Sequence, residues 1–153
     1  MDRFSWIVVG VVGLLLLAAV GVATLRPGAG AAAQEVYLEQ DTPDGVVHDA
    51  FVAFLRKDVQ RMKGYFSQRV QESFDKDQRW PNIDYYPDTG SRRMRIESVE
   101  MQGEDRATVT IGIDNYSPGG LLASSNVWTN RQTLLLVKEE SGWKIDSENF
   151  YFY

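Results

Sequence analysis

An uncharged apolar run near the N-terminus constrains this chain more than any other feature. Residues 4–25 read FSWIVVGVVGLLLLAAVGVATL and contain no charged side chain. At about 1.5 Å of rise per residue, a helix of this run crosses the roughly 30 Å hydrocarbon core of a bilayer. The pattern predicts a short segment 1–3 followed by a single transmembrane helix at 4–25. The residues that mark its ends and interfaces are Arg3, Phe4, Trp6, Leu25 and Arg26.

A cleaved secretory signal peptide is the alternative interpretation of the same run. The small residues Ala31 to Ala33 resemble a cleavage site. However, the run is longer than the roughly 7–15 apolar residues of a signal peptide, and a single Arg precedes it. We therefore favour an uncleaved anchor. The chain contains no cysteine, which excludes a lipid attached to a cysteine after the run.

The charges on the two sides of the run favour one orientation. Arg3 precedes it, whereas after Arg26 the next basic residue is Arg56, and five acidic residues come between these two. Positively charged segments tend to stay on the cytoplasmic side of a membrane. The sequence therefore predicts a cytoplasmic N-terminus and a C-terminal domain on the extracytoplasmic (periplasmic) side of a bacterial membrane.

The remainder of the chain is long enough for one domain. We expect a linker of mostly small residues at 26–41 and a domain at 42–153. Two of the 16 basic residues and one of the 21 acidic residues belong to the anchor region, which leaves 14 against 20 and a net charge of −6. This acidic balance argues against nucleic acid as a partner.

Three short helices are predicted at the start of the domain from their capping residues. Thr42 is a suitable N-cap, and the Pro43 and Asp44 that follow it favour a first helical turn. Asp58 and Ser67 can cap a second and a third helix. Apolar residues recur at helical spacing in the first helix and predict its buried face: Val46, Val47, Ala50, Phe51, Phe54 and Leu55.

The second half of the domain has the pattern of β-strands. Four strand-like segments follow a turn-rich connection, at 93–102, 106–116, 127–138 and 143–153. The second alternates in polarity, with Ala107, Val109, Ile111 and Ile113 on one face and Thr108, Thr110, Gly112 and Asp114 on the other. Helices followed by consecutive strands predict an α+β fold, in which about three short helices pack on a curved four-stranded antiparallel sheet.

This order of segments resembles the NTF2-like (cystatin-like α+β cone) superfamily over about 42–153. The resemblance rests on the helical opening TPDGVVHDAFVAFLRKDVQRMKGYFS, the strand pair RIESVEMQGEDRATVTIGID and the last hairpin RQTLLLVKEESGWKIDSENF. It implies the cone-like fold, which many bacterial members carry behind a single transmembrane helix. It implies no particular activity, because the superfamily includes isomerases, dehydratases, transport factors and protein-binding modules.

Few side chains are suited to catalysis or to metal binding. His48 is the single histidine, and without cysteine the usual zinc ligands are missing. We interpret it as a residue at the edge of the first helix, with a catalytic base as the alternative. Asp114 and Tyr116 could form an isomerase-like acid/base pair if their face of the strand lined the cone, and otherwise lie on a solvated face. We therefore predict no enzymatic activity, no metal and no cofactor.

Aromatic and apolar residues in positions that look exposed are candidates for protein contacts. Tryptophan and tyrosine are favoured anchors of protein interfaces. The alternative is that these residues line the core or the mouth of the cone. The candidates are Trp80, Tyr85, Tyr86, Leu121, Leu122, Trp128, Phe150, Tyr151, Phe152 and Tyr153.

Taken as a whole, the sequence favours a non-catalytic accessory or scaffold subunit of a larger bacterial membrane complex. Its expected partners are the lipid bilayer, through residues 4–25, and other membrane-protein subunits. A respiratory or photosynthetic electron-transfer complex is one host that fits, although no residue selects it. Two alternatives remain: a membrane-tethered domain that binds a small ligand or lipid, and an enzyme of the isomerase or dehydratase type.

Overall fold

The domain consists of three helices followed by a four-stranded antiparallel sheet, in a computed structural model that describes residues 35–80, 92–117, 126–150 and 152. The helices are α1 (Pro43–Leu55), α2 (Val59–Lys63) and α3 (Gln68–Asp77). The strands are β1 (Arg92–Met101), β2 (Arg106–Ser117), β3 (Asn126–Glu139) and β4 (Gly142–Ile145), and they lie in the order β1-β2-β3-β4. The predicted α+β arrangement is therefore confirmed.

The predicted membrane anchor at 4–25 lies outside the described residues. Within the described ranges, each helix is too short or too polar to cross a bilayer.

Local capping explains where the three helices begin. The Thr42 hydroxyl accepts the N–H of Gly45 at the start of α1, over 3.2 Å. Asp58 accepts the N–H of Arg61 in α2 over 2.9 Å, and the Ser67 hydroxyl accepts a backbone N–H in the first turn of α3. Each cap satisfies a donor that the helix itself leaves unpaired. All three predicted N-caps are confirmed.

The hydrophobic core lies between the helices and one face of the sheet, which we call the core-side face. Alternate residues of β2 supply its middle, because successive side chains of a strand point to opposite faces. The predicted alternation is confirmed, and its apolar set is the one that faces the core: Ala107, Val109, Ile111 and Ile113 are all buried. The helical half of the domain contributes aromatic residues to the core: Phe51 and Phe54 of α1, Phe66 between α2 and α3, and Phe74 of α3.

The last strand is much shorter than the segment 143–153 predicted from the sequence. It ends at Ile145, and the next residue, Asp146, accepts hydrogen bonds from the Ser67 hydroxyl (2.6 Å) and from Arg69 (3.0 Å). The Asp146 N–H still donates to the Leu135 carbonyl of β3, but the N–H of Leu135 donates to the Ser147 hydroxyl in place of a backbone carbonyl, so regular strand pairing ends here. The residues that follow therefore return to the core instead of extending the sheet.

Residues 35–41, which we call the N-terminal strap, are bound to the domain, although they were predicted to belong to a linker. Both oxygens of the Asp49 carboxylate accept backbone N–H groups of the strap, from Leu38 over 2.7 Å and from Glu39 over 2.9 Å. Asp41 accepts the N–H of Trp143 at the start of β4 over 2.7 Å. The ordered domain thus begins at least seven residues before the predicted boundary at residue 42.

Candidate contact site

The core-side face of the sheet changes from apolar to polar along the strands. Residues that lie opposite each other on neighbouring strands form rows across this face. One row near the β4 end is Met101, Ala107 and Leu136, the next is Val99, Val109 and Leu134, and the following ones are Ile96, Ile111, Gln132 and then Met94, Ile113, Asn130. Polar side chains thus enter this face first on β3, at Gln132 and Asn130.

The last row, which we call the Trp128 row, joins Arg92, Asn115 and Trp128. Asn115 is almost fully buried, and its amide oxygen accepts a hydrogen bond from the Arg92 guanidinium over 3.1 Å. That guanidinium also lies 5.7 Å from the centre of the Phe54 ring. The row therefore places a charged group, an amide and an indole side by side at the polar end of the core-side face.

Trp128 is the most exposed large aromatic side chain in the part of the chain that the structure describes. It is 52% exposed, and its neighbour Val127, on the opposite face of β3, is 49% exposed. These two residues offer a matched pair for experiments. They are adjacent on β3 and their side chains are exposed to a similar fraction, but they face opposite sides of the sheet.

The opposite face of the sheet carries a network of ion pairs. Arg95 donates two hydrogen bonds to Asp114, over 2.9 and 3.0 Å, and the Thr129 hydroxyl donates a third over 2.6 Å. Arg131 forms a similar two-bond pair with Glu97. Gly112 lies between the two pairs, where a β-carbon would come within 2.7 Å of a Glu97 oxygen.

The network determines the electrostatic state of Asp114. The hydrogen bond from Arg95, with a second from Thr129, holds the pKa of Asp114 below its usual range. A general acid of the isomerase type needs the reverse, a pKa raised by burial. The hypothesis of an acid/base pair of Asp114 and Tyr116 required their face to be the core side, and they lie on the other face.

The other residues predicted from the sequence fall into three groups. Phe150 and Phe152 are buried core residues, and this corrects the expectation that they are exposed contacts. Phe152 packs against rings of α1, and Phe150 packs against Phe66 in the connection between α2 and α3, with 4.4 Å between the ring centres. Trp80 is half-buried against Phe66 and donates to Asp75. The remaining candidates lie outside the described residues: Tyr85, Tyr86, Leu121, Leu122, Tyr151 and Tyr153.

His48 links the N-terminal strap to helix α1. Its Nε2 lies 3.2 Å from Glu35 and its Nδ1 lies 3.1 Å from Asp49. The Tyr37 ring of the strap packs under the Arg61 guanidinium, 3.5 Å from the ring centre. Within the described ranges, no group of three or more histidine and acidic side chains is placed to hold a metal ion.

Sequence reasoning missed the Arg92 and Asn115 part of the site. The signal was present, since Asn115 has the same parity along β2 as the buried Ile111 and Ile113. Arg92 could not be found in this way, because a bulge at Glu97 shifts the register between β1 and β2.

Comparison with solved structures identifies a similar fold. The solution structure of a SEC-C motif containing protein from Rhodopseudomonas palustris matches with a TM-score of 0.53 and 16% identity, over 70% of this chain and 77% of that one. The crystal structure of a SEC-C motif containing protein from Psychrobacter arcticus gives 0.49 and 10%, over 83% and 71%. An NTF-2 like protein of unknown function from Shewanella oneidensis MR-1 gives 0.43 and 16%, over 65% and 88%.

These similarities concern the fold alone. No protein-family model matches the chain, and no curated protein matches it either. The order of three helices and four antiparallel strands agrees with the NTF2-like resemblance of the sequence. The fold that the resemblance implies is confirmed as an arrangement of three helices and a four-stranded antiparallel sheet, and no activity follows from it.

Proposed function

We propose that this chain is a non-catalytic accessory subunit, anchored by one transmembrane helix, whose domain binds another subunit of a bacterial membrane complex. The observation that carries the proposal is the Trp128 row. Tryptophan and arginine are the residues most enriched among those that dominate binding energy at protein interfaces. Here an exposed indole stands in one row with the Arg92 guanidinium, beside a buried amide.

The electrostatics of the sheet support a binding role over a catalytic one. The acidic residue that the sequence singled out, Asp114, is engaged by Arg95 and Thr129 and has a lowered pKa. His48 is engaged by Glu35 and Asp49. The contacts of His48 thus attach the N-terminal strap to α1, and those of Asp114 link neighbouring strands of the sheet.

The N-terminal strap supports the membrane part of the proposal. Since the strap is bound to α1 through Asp49, only nine residues, 26–34, separate the domain from the proposed anchor at 4–25. As a flexible coil, nine residues span about 15–18 Å on average. A domain tethered this closely stays at the bilayer surface, where it meets other membrane subunits. We place it on the periplasmic side, and an electron-transfer complex is one host that fits.

Site-specific photo-crosslinking tests the proposed contact. A photo-reactive phenylalanine analogue replaces Trp128 in the full-length chain, expressed in its own membrane, and a matched chain carries the analogue in place of Val127. We expect crosslinks to a different membrane protein from position 128 and few from position 127. Equal yields from the two positions, or no product from position 128, would contradict the proposal.

The absence of cysteine makes the orientation easy to test. Glu104 lies exposed in the turn between β1 and β2, so a Glu104→Cys chain carries one accessible thiol. A membrane-impermeant maleimide should label it in cells whose outer membrane alone is permeabilised. Labelling that requires lysis of the inner membrane would place the domain in the cytoplasm and overturn this part of the proposal.

A second candidate function is the binding of a small ligand or lipid at the same end of the core-side face. Asn115 favours it, because a buried amide next to a guanidinium can orient a polar group of a ligand whose apolar part meets the core. Native mass spectrometry of the purified full chain would then detect a bound small molecule. Asn115→Leu should remove that mass, whereas Thr110→Val on the opposite face should retain it.

A further inference from the structure

Strand β1 forms an open edge of the sheet. Among the described residues, no strand pairs with β1 on the side away from β2. The N–H of Gln102 donates to the carbonyl of Arg106 over 2.8 Å, just beyond the end of β1. Because hydrogen bonding alternates along an antiparallel pair, the backbone groups of Met101 and Val99 point away from β2. They are available to another strand.

The side chains of this edge leave apolar surface uncovered. Ile96, Val99 and Met101 lie on the core-side face, opposite buried residues of β2, yet they are 37%, 40% and 54% exposed. Helix α1 contacts both β1 and β2, but it leaves these three side chains partly uncovered. The three side chains therefore form an apolar strip that continues the hydrophobic core to the rim of the sheet.

The charges of β1 divide the strand into two halves. Arg92, Arg93 and Arg95 lie in its first half, whereas Glu97 and Glu100 lie in its second half. Charged residues and a bulge on an edge strand normally prevent pairing with other chains. The charge pattern of β1 disfavours pairing with most other strands. It favours pairing with a second copy of β1 in antiparallel orientation, because the acidic half of each copy then lies beside the basic half of the other.

The bulge at Glu97 also allows the first half of β1 in one copy to pair with the second half in the other copy so that their core-side residues face the same side. Before it, Met94 and Ile96 face the core side, and after it Val99 and Met101 do. If Met94 of one copy lies opposite the partner's Val99, then Arg93 lies opposite the partner's Glu100. In this register Arg92 also lies opposite the partner's Met101 on the core-side face, and the two-fold axis passes between Ile96 and Glu97, where the bulges of the two strands meet.

We propose that a second copy of this chain pairs with β1 in antiparallel orientation, so that two four-stranded sheets form one continuous sheet of eight strands. Arg93 then forms an ion pair with the partner's Glu100, and two-fold symmetry creates this pair twice. Arg95 is not the residue required, since its guanidinium already binds Asp114. The pairing goes beyond the accessory role proposed above and does not depend on it, because its test changes Arg93 and Glu100 and leaves Trp128, Asn115 and Arg92 in place.

Charge reversal and rescue test the pairing. The full-length chain is purified in detergent micelles, and its dimer fraction is measured by native mass spectrometry. Arg93→Glu alone and Glu100→Arg alone each replace two attractive pairs by two repulsive ones, so each should weaken dimerisation by about tenfold. The double variant R93E/E100R restores opposite charges and should recover the dimer. Rescue excludes both misfolding and association through the proposed anchor as explanations.

Matched controls complete the experiment. Arg106→Glu and Glu104→Arg make the same charge changes at exposed positions outside β1, and they should leave the dimer fraction unchanged. A full chain that is monomeric at micromolar concentration would overturn the proposal. So would a dimer that the single reversals leave intact, or one that the double variant fails to restore.

Discussion

Asp49 on α1 accepts the backbone N–H of Leu38, eleven residues earlier in the chain, over 2.7 Å. The same buried carboxylate accepts the N–H of Glu39 and a contact from His48. A buried carboxylate that accepts hydrogen bonds from several donors of one segment can hold that whole segment in place. Here it fastens the N-terminal strap to the helix that forms the centre of the core.

Replacing this carboxylate should release the strap. We expect Asp49→Ala to lower the free energy of unfolding of the full chain in detergent by about 2–3 kcal/mol, since charged hydrogen bonds to two backbone donors are lost. Hydrogen exchange of residues 35–41 should become fast. Asp44→Ala, in the first turn of the same helix, is the control and should retain the protection of the strap. Unchanged exchange in Asp49→Ala would show that other contacts hold it.

The turn before β4 requires a glycine. Gly142 has a φ of +103°, and a β-carbon there would come within 2.5 Å of the Asp41 oxygen that accepts the N–H of Trp143. We expect Gly142→Ala to cost about 2–3 kcal/mol in urea unfolding, from backbone strain and the displaced carboxylate.

Gly112→Ala is the matched control for this prediction. Its β-carbon also meets a carboxylate, but that of Glu97 is the end of a flexible side chain, which can move. The loss should be distinctly smaller than for Gly142→Ala. Equal losses would mean that the strain at Gly142 is not the cause.

The ion pair of Arg95 and Asp114 predicts a pH dependence of stability. Because the folded protein holds the pKa of Asp114 below its usual range, the pair stabilises the fold above the usual carboxyl pKa of about 3.9, and this contribution is lost as the pH falls through the lowered value. Arg95→Gln should therefore be less stable than the original chain at pH 7, and the difference should shrink in acid. Arg106→Gln, which removes an exposed charge elsewhere, should show no such pattern. A difference that stays constant from pH 7 to pH 3 would contradict the assignment.

Phe152 should act on stability and not on partner binding. It is buried among Phe51, Phe54 and Phe150, with ring centres 5.5–5.7 Å away. Phe152→Ala should cost about 3–5 kcal/mol, because it opens a cavity in an aromatic cluster, and Phe152→Leu should cost less. A loss below about 1 kcal/mol in chemical unfolding would show that this residue is not part of the core.

Local signals in the sequence were sufficient to predict the helices and the central strand. Thr42, Asp58 and Ser67 cap their helices through bonds to residues three positions away, so the pattern and the structure involve the same short segments. The alternation of β2 likewise identified its buried face. The α+β class follows from the order of these elements.

Distant contacts decided the features that the sequence did not predict. The chain leaves β4 through side-chain bonds that include those from Ser67 and Arg69 to Asp146, almost eighty residues apart, and the bond from Leu135 to Ser147. The attachment of the N-terminal strap depends on Asp49, and nothing in the sequence distinguishes this residue from an ordinary acidic residue on the surface of a helix. The Trp128 row needs the pairing of three strands and a bulge, and no local pattern gives that register.

Co-purification of the full chain in mild detergent tests the central claim, that the domain is a tethered contact module, most directly. The chain carries a C-terminal affinity tag on a flexible spacer, and the bound proteins are quantified for the original chain, Trp128→Ala and Val127→Ala. We predict other membrane proteins in stoichiometric amounts with the original chain and with Val127→Ala, and about tenfold less with Trp128→Ala. A chain that purifies without other proteins, or equal recovery with both variants, would contradict the account.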